Sequence, residues 1–280
     1  KRLVLAGGVF ANVKLNEAIL QLPGVDNIYI HPNMTDGGLS VGASLYVYHN
    51  IVNKNKKYHI KFLETAYLGP EYDDETIRNV LDRYDVEYEY SDHIAARIAA
   101  AIHRGQIIGL FHGRMEYGPR SLGNRSILAA PIDKSINDSL NTRLKRTEFM
   151  PFAPSILEED AGIFYPTYKE THVAARFMTI TYPVNEKFID KAPAVVHVDK
   201  TARPHVVRKQ DNPFFYQIIK EYKELSGLPL LINTSFNMHE EPIVCSPEDA
   251  LRAFACGSVD VLVMNKYWVE LSKNRHLNIS

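Results

Sequence analysis

A chain of 280 residues, 45% hydrophobic and 23% charged, has the make-up of a soluble globular protein and the length of about two domains. Its formal net charge of -1 argues against a broad nucleic-acid-binding face, and no apolar run is long enough for a membrane helix. Two cysteines, Cys245 and Cys256, cannot build a disulfide framework, and no Cys/His spacing suggests zinc. With no signal peptide visible, the expected setting is the reducing cytoplasm.

The chain opens "KRLVLAGG", with a strand under way and no initiator Met, which predicts the later part of a longer protein. "LVLA" reads as a short buried strand ending at Gly7-Gly8. "NVKLNEAILQL" reads as a helix with Val13, Leu15, Ala18, Ile19 and Leu22 on one face, stopped by Pro23-Gly24. "NIYIHP" is the next strand. In "NMTDGGLSVGASLYVYHN" a glycine-rich turn feeds a helix of small residues suited to close packing. This unit ends near Asn50, and the charged, aperiodic stretch 51–71 reads as a linker.

A second pattern, 72–280, follows. It begins with helix "DETIRNVLDRY", strand "DVEYEY", helix "DHIAARIAAAIHRG" capped by Asp92 and ended by Gly105, and buried strand "QIIGLFH". Then come helix "DKSINDSLNTRLKR", strand "RFMTITYPV", helix "NPFFYQIIKEYKELSG" and strand "LPLLINTSFN". Helix "SPEDALRAFACG" carries Ser246 as cap, Pro247 at its first position and Asp249 as the capping-box acid; strand "VDVLVMN" closes the pattern. Strands and helices mix without strict alternation, so the class is α/β, with the second domain α+β or a mixed open sheet.

The chemistry concentrates in "HGRMEYGPRSLGNRS", residues 112–126, where Arg114, Arg120 and Arg125 sit among three glycines and one glutamate after a buried strand. Guanidinium groups suit phosphate or carboxylate oxygens, and glycines let backbone N–H groups approach an anion. Glu116 can hold one guanidinium in place. The competing reading pairs these arginines with surface acids. Arg143, Lys145 and Arg146 form a second basic group, equally explained as cations at a helix C-terminus. Arg203 and Arg208 form a third. Asn233, Thr234, Ser235 and Asn237 end an apolar strand, as a turn or as a cluster for ligand oxygens. No general base stands beside Ser235, and His103, His112, His197, His205 and His239 read as structural or surface residues. Gly7-Gly8 between strand and helix is a generic phosphate-cradling turn. Asp36 before Gly37-Gly38 either offers a carboxylate to a metal or makes an Asp-Gly turn.

"LAGGVFANVKLN", "GRMEYGPRSLGNRSILAAP", "PFAPSIL", "TARPHVV" and "LLINTSFNMHEEPIVCSPEDAL", in this order, resemble the O-carbamoyltransferase family, which includes nodulation-factor and antibiotic carbamoyltransferases. The resemblance implies that residues 1–50 are the end of an actin-like (ASKHA) domain, similar to the tRNA threonylcarbamoyl-transfer protein. Residues 72–280 would be a YrdC-like domain, a mixed open sheet with helices, that makes carbamoyl-adenylate from carbamoyl phosphate and ATP. The carbamoyl group would then pass to a hydroxyl acceptor, a sugar or antibiotic-like molecule, near iron or another divalent metal, with Mg accompanying ATP.

Carried over by position, Lys145, Arg203 and Arg120 are the expected catalytic cations. Arg114, Arg125, Arg143, Arg146, Asn233, Ser235, Asn237, Gly7, Gly8 and Asn12 would bind substrate or nucleotide, and Asp36 the metal. Met150 stands where the family often has Arg, and Arg146-Thr147 replaces the rest of its KxR pair. Two other readings are an RNA-binding, tRNA-modification-related module, which the near-neutral charge opposes, and a non-catalytic nucleotide-binding domain. No membrane contact is expected, and an oligomer is allowed.

Overall fold

The computed structural model describes residues 1–54, 63–145, 152–277 and 279. The N-terminal unit is built from strand β1 (Arg2–Leu5), helix α1 (Val13–Leu20), strand β2 (Asn27–Ile30) and helix α2 (Leu39–Val47). β1 and β2 pair in parallel as a two-stranded sheet. Expected to be buried, β1 is instead half covered, with Val4 78% exposed, because only β2 flanks it among the described residues. α1 turns Asn16 and Glu17 inward, not the expected apolar face. The Asn16 amide donates to the Phe10 and Thr179 carbonyls, and Thr181 Oγ1 donates to Glu17. Nor does α2 pack closely: none of its nine residues is buried.

The rest is organised on one mixed sheet. In chain order its surroundings are α3 (Asp74–Arg83), β3 (Glu89–Tyr90), α4 (Ile94–His103), β4 (Ile108–Phe111), β5 (Arg125–Ala129) and α5 (Ser135–Arg143). Then follow β6 (Ala153–Leu157), α6 (Glu158–Phe164), β7 (Tyr182–Pro183), α7 (Glu186–Ile189), β8 (Thr201–Ala202) and β9 (His205–Val207). Last come α8 (Pro213–Ser226), β10 (Leu230–Ser235), α9 (Pro247–Ala255), β11 (Val261–Met264) and β12 (Tyr267–Glu270). The large sheet runs β3-β12-β11-β4-β5-β10-β6-β9; β7 and β8 form a separate pair.

Alternation of side chains across the strands gives the sheet two apolar faces. Ile108, Leu110, Leu128 and Leu231 point to α4 and α8, whose Ile98, Ile102, Phe215 and Ile219 cover them. Ile127, Phe111, Ile156 and Ile232 point the other way and pack with Leu140 of α5 and Leu251 and Phe254 of α9. Both faces are therefore closed, as the fold class requires.

Most expected elements form where local signals are strong. Ser246 and Asp249 make a full capping box on α9, and Gly227 and Gly105 end their helices at positive φ. Asp92 does not cap α4; its carboxylate accepts from Lys266 at 2.8 Å. "RFMTITYPV" is a 3-10 turn over Val173–Phe177 followed by extended chain, of which only Tyr182–Pro183 pairs.

Loop 112–124 is fastened to α8 at Gly123. A Cβ there would lie 2.3 Å from Phe215 Cδ1, and φ is +104°. Gly123→Ala is expected to destabilise the fold by about 3 kcal/mol, through overpacking plus backbone strain, measured by denaturant unfolding.

Candidate anion site at one end of the large sheet

Strand register gathers the site. Phe111 at the end of β4 faces Arg125 at the start of β5, and Ser126 faces Ser235 at the end of β10. Asn233 faces Ala153 at the start of β6, and Ser155 faces His205 at the start of β9. The strand ends and starts that carry the arginine loop, "INTS" and "TARPH" therefore lie along one edge. That arrangement follows from antiparallel pairing of β4, β5, β10 and β6, with β9 parallel to β6.

The arginine loop is shaped from inside by Glu116, 5% exposed. Its Oε1 accepts the backbone N–H groups of Leu122 at 2.7 Å, Asn124 at 2.8 Å and Arg125 at 3.3 Å. Burial raises its carboxyl above the ordinary range, while those N–H groups and the Arg125 charge pull it back. Glu116 thus holds backbone rather than a guanidinium, correcting the sequence reading. Tyr67 donates to the Leu122 carbonyl at 2.6 Å, and the Asn124 amide donates to the Arg114 carbonyl. The N-terminal unit touches this loop: His31 Nε2 lies 3.2 Å from the Tyr117 hydroxyl, and a Cβ on Gly118 would meet the Pro32 carbonyl at 2.9 Å.

The three loop arginines have different fates. Arg125 is fully buried over the Phe111 ring at 3.7 Å, and its Nη groups donate to the carbonyls of His112, Asn124, Gly113 and Pro70. It is a structural cross-link and reaches no ligand, a correction to its expected binding role. Arg114 is exposed and donates to the Leu68 carbonyl. Arg120 is partly covered, with Nε buried and without a partner.

Arg203, on the approach to β9, is Arg120's neighbour. Its Nε is also buried and without a partner. Burial, then the positive charge of Arg120, pushes Arg203 down to about 9, so it stays charged at neutral pH. Burial alone lowers Arg120. No ion pair among the described residues includes either arginine, and no carboxylate contributes to the shift of either. Two neighbouring like charges, partly desolvated and without a counter-ion among the described residues, form a place for an anion.

Beneath them runs a polar floor. Asn233, 1% exposed, donates Nδ2 to the Ser121 carbonyl at 3.3 Å and to Ser155 Oγ at 2.9 Å; Ser155 Oγ lies 3.0 Å from His205 Nδ1. Both Nδ2 protons of Asn233 are thus used within the scaffold, while its Oδ1 is buried and without a partner. Ser235 is half-buried at the same edge, and Asn237 donates to the Glu241 carbonyl while its Oδ1 stays buried without a partner.

The remaining expectations fall elsewhere. Arg143, in the last turn of α5, pairs with Asp260 at 2.7 Å, and Asp260 precedes β11 at the opposite end of the sheet, away from the arginine pair. Lys145 follows α5, exposed, at φ +56°, and adds nothing to the field at Arg203. Arg146 and Met150 lie outside the described residues. Asn12 caps α1, its side chain accepting from the Lys14 and Leu15 N–H groups, which corrects its expected nucleotide role. Gly7 sits at φ +117° and donates its N–H to the Met34 carbonyl; Gly8 opens the following 3-10 turn. Asp36 is exposed, and no group of three His, Cys, Asp or Glu side chains able to hold a metal occurs among the described residues. Asp36 thus stands as a single candidate ligand among the described residues, and one carboxylate is not a complete metal site.

Two cavities were found that include neither Arg120 nor Arg203. One, of about 10 Å³, is bordered by Tyr67, His205 and Asn212; the other, of about 320 Å³, lies against α1 with Glu17, Lys169 and His172 in its walls. No helix among the described residues is long and apolar enough to cross a membrane.

Comparison with known proteins gives the following likenesses. The family model described as Carbamoyltransferase C-terminus matches residues 99–271, and that described as Carbamoyltransferase N-terminus matches residues 1–45. The chain is 40% identical to uncharacterized protein MJ1058 of Methanocaldococcus jannaschii, over 96% of this chain and 44% of that protein. It is 37% identical to nodulation protein NolO of Bradyrhizobium diazoefficiens, over 96% of this chain and 49% of that protein. The chain spans about half the length of the curated relatives it matches. Among solved structures it resembles HypF in a phosphate- and nucleotide-bound form, with TM-score 0.45, 17% identity, and coverage of 66% of this chain and 23% of that one.

Glu116→Ala would leave three buried N–H groups unpaired and is expected to cost about 3 kcal/mol of stability. Arg114→Ala, at an exposed position, is expected to change stability by less than about 0.5 kcal/mol. Urea unfolding of both variants checks the contrast.

Proposed function

Because this chain belongs to the carbamoyltransferase family, we propose that Arg120 and Arg203 hold the phosphate of carbamoyl phosphate in the step that makes carbamoyl-adenylate. The observation that supports this reading is that, among the described residues, no carboxylate acts on the two neighbouring guanidinium groups. Water cleaves carbamoyl phosphate to carbamate and inorganic phosphate. A carbamate oxygen then attacks the α-phosphorus of ATP, and pyrophosphate leaves with the bonding pair. Both steps gather negative charge that fixed cations stabilise without a proton-shuttling side chain. Mg accompanies the ATP phosphates.

Ser235 and Asn237, at the same edge, supply hydrogen bonds to the nucleotide, and Arg114, exposed on the loop, attracts the approaching phosphates. In this reading residues 72–280 form the adenylate-making, YrdC-like domain and residues 1–50 belong to an actin-like unit, joined by 51–71. Gly7 and Gly8 open that unit's nucleotide turn. Asp36 contributes one ligand to a metal, and no step described here passes through that metal. The acceptor is a small-molecule hydroxyl. The two exposed, unpaired cysteines fit a reducing cytoplasm.

Arg203→Met and Arg120→Met are each expected to lower kcat/KM for pyrophosphate release dependent on carbamoyl phosphate by about a hundredfold, the size of one charge-stabilising donor. Thermal stability should hold or rise, because each change removes one of two repelling charges. Pyrophosphate release that ignores carbamoyl phosphate, or variants as active as the parent, would refute the assignment.

A further inference from the structure

Arg120 and Arg203 lie just outside the ladder, on segments that lead into β5 and β9, and those two strands are joined only through β10 and β6. Arg120 precedes β5, whose pairing starts at Arg125, and Arg203 precedes β9, whose pairing starts at His205. Two repelling charges on segments outside the ladder are pushed apart when no anion bridges them. Besides the backbone ladder, the buried chain of Ser121 carbonyl, Asn233 amide, Ser155 hydroxyl and His205 imidazole ties the segments through side chains.

Donor and acceptor roles in this chain are determined by its first member. A carbonyl only accepts, so the nitrogen of Asn233 must face Ser121. The other Nδ2 proton goes to Ser155 Oγ, which is left to donate its own proton to His205 Nδ1. The ring is held flat against Phe215, at 5.9 Å and 13°, and it is 4% exposed. Burial lowers its basicity to about 3, so it stays neutral and keeps Nδ1 as an acceptor.

We infer that Asn233, Ser155 and His205 are positioning residues for the anion site, a hydrogen-bonded tie beneath Arg120 and Arg203 that sets the spacing of the two guanidinium groups. This rests on the reading of those arginines as the anion site. None of the three touches the ligand; they act by keeping the spacing suited to one phosphate group before it arrives.

The test uses the full chain and inorganic phosphate as probe, with binding followed by calorimetry and folding by thermal unfolding. Ser155→Ala removes the middle link. His205→Phe keeps the ring on Phe215 without the acceptor, and His205→Asn keeps an acceptor near the Nδ1 position in a smaller side chain. Ser155→Ala and His205→Phe should each weaken binding by about tenfold, the double variant should be no weaker than either, and His205→Asn should bind within about threefold of the parent. Each should melt as one cooperative transition.

If Arg203→Met loses binding while Ser155→Ala and His205→Phe bind as the parent does, the tie is refuted and the site stands. If the two losses multiply in the double variant, the residues act separately and the tie is likewise refuted. If Arg203→Met binds as the parent does, the anion site itself is refuted.

Discussion

The carboxylate of Glu116 sits inside a turn of backbone and accepts the N–H groups of Leu122, Asn124 and Arg125. Those three donors could not otherwise all be satisfied in so tight a bend, and the bend brings the chain from the end of β4 into the start of β5. A buried carboxylate is costly without such partners. Here it is neutralised by N–H dipoles and by Arg125, which binds four carbonyls of the same region. Negative charge inside the loop and positive charge beside it cancel locally. Among the described residues, Arg120 on the loop's outer arm is left as a cation without a counter-ion.

Arg203 approaches from another direction, near enough to feel the charge of Arg120, and no carboxylate among the described residues acts on either. A fold that needed only stability would pair each with an acid, as it does at Arg143 with Asp260 and at Arg208 with Asp211. The same chain therefore shows both solutions. Where charge serves the scaffold it is paired; at the edge of the large sheet it is left open. The polar floor of Asn233, Ser155 and His205 makes that open arrangement compatible with an ordered structure, because the segments are tied through neutral groups.

Local signals in the sequence were enough for much of the framework. The capping box of α9, the glycine stops of α4 and α8, and the apolar runs of β4, β10 and β11 each depend on a few neighbouring residues, and all formed. β5 was hidden because "RSILA" follows the glycine-rich loop without a break, and β6 because its "APSIL" carries a proline. α1 was misread because its inward face is polar: Asn16 and Glu17 are buried by partners more than 160 residues away. The site was legible as a basic, glycine-broken stretch in front of a strand. Which arginine would be scaffold and which would be open was not legible. Arg125 is internal because β5 lies in mid-sheet, and Arg143 is diverted because α5 ends beside Asp260, and both are facts of tertiary packing.

A crystal structure of the chain with inorganic phosphate tests the account most directly. Phosphate oxygens within hydrogen-bonding distance of the Nη atoms of both Arg120 and Arg203, with Glu116 still holding its three N–H groups, is the predicted result. Guanidinium groups that instead turn to protein carboxylates, with phosphate bound elsewhere or not at all at saturating concentration, would contradict it.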